Sequence, residues 1–318
     1  MIPSVPQANQ IGPLNPGDIV SAALRLYKDR FKTFMQLAVL ATLWLVGGIL
    51  GMLLAIAIFA TAGAAVGDGV GAILGGLLGM LGGMVALLYG SAQYYALSSV
   101  IGRLSFQALI NQPETALDAR RQVAPRLGQF LALGFLLLLA YVAAYLISAI
   151  AALILGGGAG FLTASILSAL INEPIGAVLG TVLGLVLGLA ILLITLIWVA
   201  SRLFIAEVVL AIESGQTAGS SMSRSWELTQ TAIWRIQVVF LATLLIQLPI
   251  LAVTNYIPSI LLELLPMEGD AVYGLVAVLS LLLSLLGSMV ILPLWQAVKG
   301  VLYYDLRSRR EGLDLALR

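Results

Sequence analysis

The chain reads as an all-α polytopic membrane protein, with six transmembrane helices as three hairpins and amphipathic lead-in helices on the cytoplasmic side. Three observations predict this. Of the 318 residues, 61% are hydrophobic and 10% charged, where soluble domains carry about 25% charged residues, and mean hydropathy is +1.07. The apolar residues form long unbroken runs, not the short alternating segments of a transmembrane barrel. Finally, all sixteen Lys and Arg residues fall in alternate connections between those runs.

Taken in order, residues 1–14 form a proline-punctuated disordered lead (Pro3, Pro6, Pro13), and 15–318 form one membrane domain. The first 15 residues lack the charged start and short apolar core of a cleavable signal, so the first spanning helix is expected to act as the targeting signal. Asn15-Pro16 opens a helix. Val20, Leu24, Tyr27, Phe31 and Phe34 share one of its faces, and Asp18, Ser21, Arg25, Lys28 and Lys32 the opposite one. Such a helix either lies in the membrane interface or packs as an ordinary cytosolic helix.

The first span is expected over 34–60, a turn at Gly67-Asp68-Gly69, and the second span over 70–97. A polar connection covers 98–129, and the third span 130–155. After Gly156-Gly157-Gly158 comes an apolar piece, 161–171, too short to cross and read as interfacial or re-entrant. The fourth span, 175–201, has no charge and is long enough for a hydrocarbon core of about 30 Å. A second polar connection (202–235) leads to the fifth span, 236–254, interrupted by Gln247 and Pro249. Another short apolar piece, 257–265, precedes the sixth span, 271–292, whose end Pro293 is expected to bend.

The basic residues orient these spans. Residues 1–33, 98–129, 202–235 and 299–318 hold all sixteen of them with ten acidic residues; the alternate loops hold only Asp68, Glu173, Glu263, Glu268 and Asp270. By the positive-inside rule both termini are cytoplasmic, in a bacterial-type inner or internal membrane. The basic face includes Arg25, Lys28, Lys32, Arg121, Arg224, Arg307, Arg309 and Arg310, which suits anionic headgroups as well as orientation.

Small residues recur at every fourth position in the second span of each hairpin: Gly71, Gly75, Gly79 and Gly83; then Gly176, Gly180, Gly184 and Gly188; then Ser280, Ser284 and Ser288. Each row makes a shallow groove where another helix can approach closely. Together with the aligned lead-ins (Asn15-Pro16, Gln112-Pro113, Gly215-Gln216), this predicts three repeats, 15–111, 112–214 and 215–310, related by an axis along the membrane normal.

Catalytic chemistry is not expected. Histidine and cysteine are absent, which removes the commonest general base, the commonest metal ligand and the thiolate nucleophile. The glycine pairs lack the strand and Lys-Ser/Thr of a phosphate loop. No cofactor, metal or nucleic acid is expected. Gln93, Gln247 and Gln296 are read as inter-helix hydrogen-bonding groups, and Glu207 as an ion-pair partner of Arg202 or Arg103.

Gly12-Pro13-Leu14-Asn15-Pro16-Gly17-Asp18-Ile19, Trp226-Glu227-Leu228-Thr229, and above all Leu302-Tyr303-Tyr304-Asp305-Leu306-Arg307 followed by Arg309-Arg310-Glu311-Gly312, resemble the glycerophosphoryl diester phosphodiesterase membrane-domain family. The resemblance implies a membrane module without the soluble phosphodiesterase barrel found in some members, whose catalytic histidines this chain lacks. It also makes Tyr303, Tyr304, Asp305 and Arg307 a candidate docking tail. The expected function is a non-catalytic membrane module that scaffolds or docks a protein partner at the cytoplasmic face; the alternative is a transporter or lipid-handling protein. A polar cavity lined by Gln247 and Gln296 would favour the alternative.

Overall fold

A computed structural model describes residues 14–264 and 270–312. The lead 1–13, the loop around Glu268 and the chain from Leu313 lie outside the described residues. Everything regular among the described residues is helical.

Three short helices begin alike. In α1 (Pro16–Asp29) the Asn15 N–H donates to Asp18 Oδ2 at 3.3 Å. In α3 (Ala116–Val123) Thr115 Oγ1 accepts from the Asp118 N–H at 3.2 Å. Helix α8 (Ala218–Thr229) is capped by Thr217, whose Oγ1 accepts from the Ser220 N–H at 3.3 Å. A polar cap with a polar residue three positions on satisfies the free first-turn donors in each case. The second and third lead-ins therefore start later than Gln112-Pro113 and Gly215-Gln216, at threonines that can cap.

Helix α2 (Phe31–Leu109) is 79 residues long and breaks only at Gly67 (φ −147°) and Asp68 (φ 51°). Left-handed backbone at a short polar residue is what a tight reversal needs. Beyond it the chain folds back on itself: Gly79 lies against Ala55, Gly83 against Met52, and Gly90 against Trp44 and Gly48. The stretch 98–109, read as a polar connection, instead continues the helix. Ser98, Ser99 and Ser105 donate to Tyr95, Ala96 and Ile101 carbonyls one turn back, so their hydroxyls are satisfied locally and can be buried.

Helix α4 (Leu127–Ala151) passes through a π-helical turn (Ala152–Gly157) into α5 (Gly158–Leu170), and the pair runs antiparallel to α6 (Glu173–Leu203). The piece expected over 161–171 is thus not a separate short element but the continuation of α4. A π-turn shifts register without ending a helix, and α5 packs along the first half of α6. After α7 (Ala206–Ile212) and α8, helix α9 (Ile233–Leu251) passes through a second π-turn (Ala252–Tyr256) into α10 (Ile257–Leu264). The apolar piece at 257 therefore also extends a helix. Helix α11 (Asp270–Glu311) runs on through Pro293 for 42 residues, so the proline does not end it.

Among the described residues, five helical runs are long and apolar enough to cross a membrane: Phe31–Leu109, Ala116–Leu170, Glu173–Ile212, Ile233–Ile260 and Val272–Glu311. Their flanks are largely exposed apolar side chains, among them Leu81, Ile147, Ile194 and Leu281, the pattern of a surface solvated by lipid rather than water. The buried core lies at one end. There α1, α3, α7 and α8 meet both ends of α2, the starts of α4 and α9, and the end of α11, around Tyr303, Phe34 and Phe130. Helix α1 buries Ile19, Val20 and Ala23 and packs on α9 and α11; it is a protein-packed helix.

Candidate ligand cavity

Charge at the base is used to stitch it together. Asp305 is fully buried and accepts from the Leu14 N–H at 2.7 Å, Arg235 Nη1 at 3.0 Å and Arg309 Nε at 3.0 Å. Both arginines also donate to the Leu14 carbonyl, at 2.9 Å each. Arg126 donates to the carbonyls of Leu210, Glu213 and Gln216, and Arg103 to Glu114 and the Ala211 carbonyl, each at 2.8 Å. Tyr303 Oη donates to Glu213 at 2.6 Å. Burial works against the Arg224 charge, but the carboxylates of Glu213 and Glu227 outweigh it and raise its pKa. Burial alone pushes the Tyr27 phenol up, so it stays neutral and donates to the Val290 carbonyl.

The residues expected as a docking tail are part of these contacts. Tyr303, Tyr304 and Asp305 are buried; Arg307 is half-buried and pairs with Glu311. The tail's periodicity is that of a helix inserted into the base. Arg25, Lys28, Lys32, Arg121, Arg309 and Arg310 are exposed, while Arg224 is drawn into pairs with Glu213, Glu227 and Glu311.

The small-residue rows divide. A Cβ added to Gly180 would lie 2.5 Å from the Ala164 nitrogen, and Gly184 and Gly188 flank Gly156 and Ala152. Gly176 faces Ser168, Gly71 faces Gly63, and Gly75 faces Phe59 and Gly63. The serine row behaves otherwise. Ser280 and Ser288 turn their hydroxyls back onto the Val276 and Leu285 carbonyls, while Ser284 donates to Asn255 Oδ1 at 2.8 Å. In this region the close approach is at Gly287, against Thr254.

Above the base, between α2, α7, α9 and α11, lies a cavity of about 510 Å³. Its floor is the ion pair of Glu207 on α7 and Lys299 on α11. Gln296 Nε2 donates to Glu207 Oε1 at 2.9 Å, and the buried Gln296 Oε1 has no partner. Tyr94, Tyr95 and Ser98 of α2 form one wall. Gln247 faces them, its Oε1 accepting from Trp295 Nε1 at 2.6 Å, with Asn255 and Ser284 further along. Ser288, also in the lining, is exposed, so the cavity reaches the surface between helices.

Glu207 pairs with neither Arg202 nor Arg103; its partner is Lys299, 92 positions away, which sequence reasoning left in the tail. Among the described residues Gln93 bonds Tyr89 of its own helix. Among the described residues no three His, Cys, Asp or Glu side chains gather as a metal site. What the cavity can do chemically is hold a molecule carrying both charges: an ammonium against Glu207, an anion against Lys299, and amide contacts from Gln247 and Gln296. Compared with family models, curated proteins and solved structures, the chain matches none.

Proposed function

We propose that the chain is a non-catalytic integral membrane protein that handles a zwitterionic lipid headgroup, as a carrier or lipid-handling protein. In this reading α2 crosses twice and the other four runs once, giving six crossings with both termini cytoplasmic. The orientation rests on the basic residues gathered at the base. The observation that carries the functional reading is the Glu207–Lys299 pair with an unpartnered Gln296 oxygen in a cavity that opens between lipid-facing helices. Buried charge and amide groups in a membrane are costly and mark ligand pathways. Kinship with the glycerophosphoryl diester phosphodiesterase membrane-domain family is proposed on the same footing, from the stretch 302–312.

The test is transbilayer movement of acyl-labelled phosphatidylethanolamine in vesicles containing the purified full chain. Wild type should speed the movement, and Gln247→Leu and Lys299→Met should slow it. A rate equal to that of protein-free vesicles would overturn the proposal. Scaffolding is a second reading, favoured by the exposed cations Arg25, Lys28, Lys32, Arg120 and Arg121, which have no ion-pair partner among the described residues. A stoichiometric protein in the gently extracted particle would support it.

A further inference from the structure

A second region holds a cation with no ion-pair partner among the described residues. Arg202, on the last turn of α6, lies beside a pair of indoles: its guanidinium is 5.3 Å from the Trp198 ring and 5.1 Å from the Trp226 ring. The rings stand edge to face, 5.2 Å apart. Arg202 Nε and Nη1 are buried and have no hydrogen-bond partner, and the side chain forms no ion pair among the described residues. Indole faces attract a cation but accept none of its fork of N–H groups. The other charge acting on Arg202 is also positive, Arg310, and Arg310 is exposed and without a salt-bridge partner among the described residues.

Beside the same tryptophans runs a groove of about 630 Å³ between α4, α6 and α8. Ala143, Ala144, Ile147, Val199 and Leu203 make its apolar wall together with the two tryptophans. One carboxylate, Glu227, lines it, and that one is paired with Arg224. The groove opens onto the apolar flank where Ile147 and Ile194 are exposed. Tryptophans at the end of a spanning helix mark headgroup depth.

We propose that this is a binding site for one anionic phospholipid, its phosphate on the Arg202 guanidinium and Arg310, and an acyl chain in the groove between α4, α6 and α8. A phosphate supplies an acceptor at Arg202 Nη2, the guanidinium nitrogen that protein atoms do not close off. A free anion would use the cations but not the groove; an uncharged lipid would use the groove but leave the cations unmet. The site assumes membrane insertion and does not depend on the cavity beside Glu207.

The experiment is native mass spectrometry of the full chain released from vesicles of phosphatidylcholine containing phosphatidylglycerol as probe. Wild type should retain one phosphatidylglycerol, and Arg202→Gln should lower that retention roughly tenfold or more. Arg202→Lys should restore only part of it. Equal retention of phosphatidylcholine, unchanged retention in Arg202→Gln, or displacement of the lipid by inorganic phosphate would each overturn the proposal. A measurement that needs no variant backs it. Phosphatidylglycerol brominated on its acyl chains should quench wild-type tryptophan fluorescence at lower lipid fraction than brominated phosphatidylcholine; equal quenching would refute the site.

Discussion

The antiparallel pair α4–α5 with α6 and the pair α9–α10 with α11 are built from similar apolar helices, each with a π-helical turn, yet only one encloses polar space. In the first, glycine faces glycine: Gly156 against Gly184 and Gly188, Gly160 against Gly180 and Gly184. The backbones touch, and the roughly 700 Å³ groove beside them is lined by residues such as Ala149, Ala164, Leu185 and Leu192. In the second, side chains stand between the backbones. Ser284 meets Asn255 and Trp295 meets Gln247, and the smaller space of about 510 Å³ carries an ion pair and three amides. Volume does not distinguish the two regions; what lines the volume does. Close helix approach in lipid comes from small residues that let dispersion contacts form. Amide and hydroxyl pairs hold helices together at longer range and leave room for a ligand.

The comparison presumes a common base, and the largest effect should come from breaking it. Asp305→Asn removes the carboxylate shared by Arg235, Arg309 and the Leu14 N–H. Two guanidinium groups would then lack their buried counter-charge, at a cost of about 3–5 kcal/mol. Thermal unfolding in detergent should show a large drop in midpoint. An unchanged midpoint would mean that Asp305 does not hold the chain at Leu14, α9 and α11 together at the base.

A smaller effect should separate the pairs themselves. Gly180→Leu puts a side chain where even a Cβ lies 2.5 Å from the Ala164 nitrogen and the Gly160 oxygen, so the helices must part. The expected cost is about 1–3 kcal/mol, as for overpacked cores. Ser284→Leu, at a residue that lines the cavity and would give up its hydrogen bond to Asn255, should cost less than Gly180→Leu. If the two substitutions destabilise equally in the same unfolding assay, the distinction between a zipped and a spaced pair fails.

This division was only half legible in the sequence. The reversal at Gly67-Asp68, the long apolar helices and the glycine rows are local patterns, set by residue type and spacing. Residues 98–109 were misread because serine and arginine look like loop residues. The helix hides them by returning Ser98, Ser99 and Ser105 to its own carbonyls and pairing Arg103 with Glu114. Tyr303 to Asp305 were read as a surface because nothing in the tail reveals that Leu14, 291 positions earlier, comes back to meet Asp305. The cavity's ion pair escaped for the same reason: Glu207 and Lys299 are polar residues at two helix ends until tertiary packing sets them together. The serine row shared its spacing with the glycine rows but not its physics, since a hydroxyl adds both bulk and a hydrogen-bonding demand.

The smallest effect gives the finest test, because it compares neighbours in one helix. Gly83 faces the partner arm, where a Cβ would lie 2.7 Å from Met52 Cα; Gly82 faces away, with nothing within 4 Å. Composition treats the two alike, and helix propensity alone favours alanine at both. Gly82→Ala should therefore stabilise slightly, by about 0.5 kcal/mol, from the reduced freedom of the unfolded chain. Gly83→Ala should destabilise, because the backbone contact overrides propensity. Opposite shifts of the unfolding midpoint in adjacent variants would show that the glycine row acts through contact with Met52 and its neighbours. Two shifts of the same sign would show that it acts only through the helix that carries it.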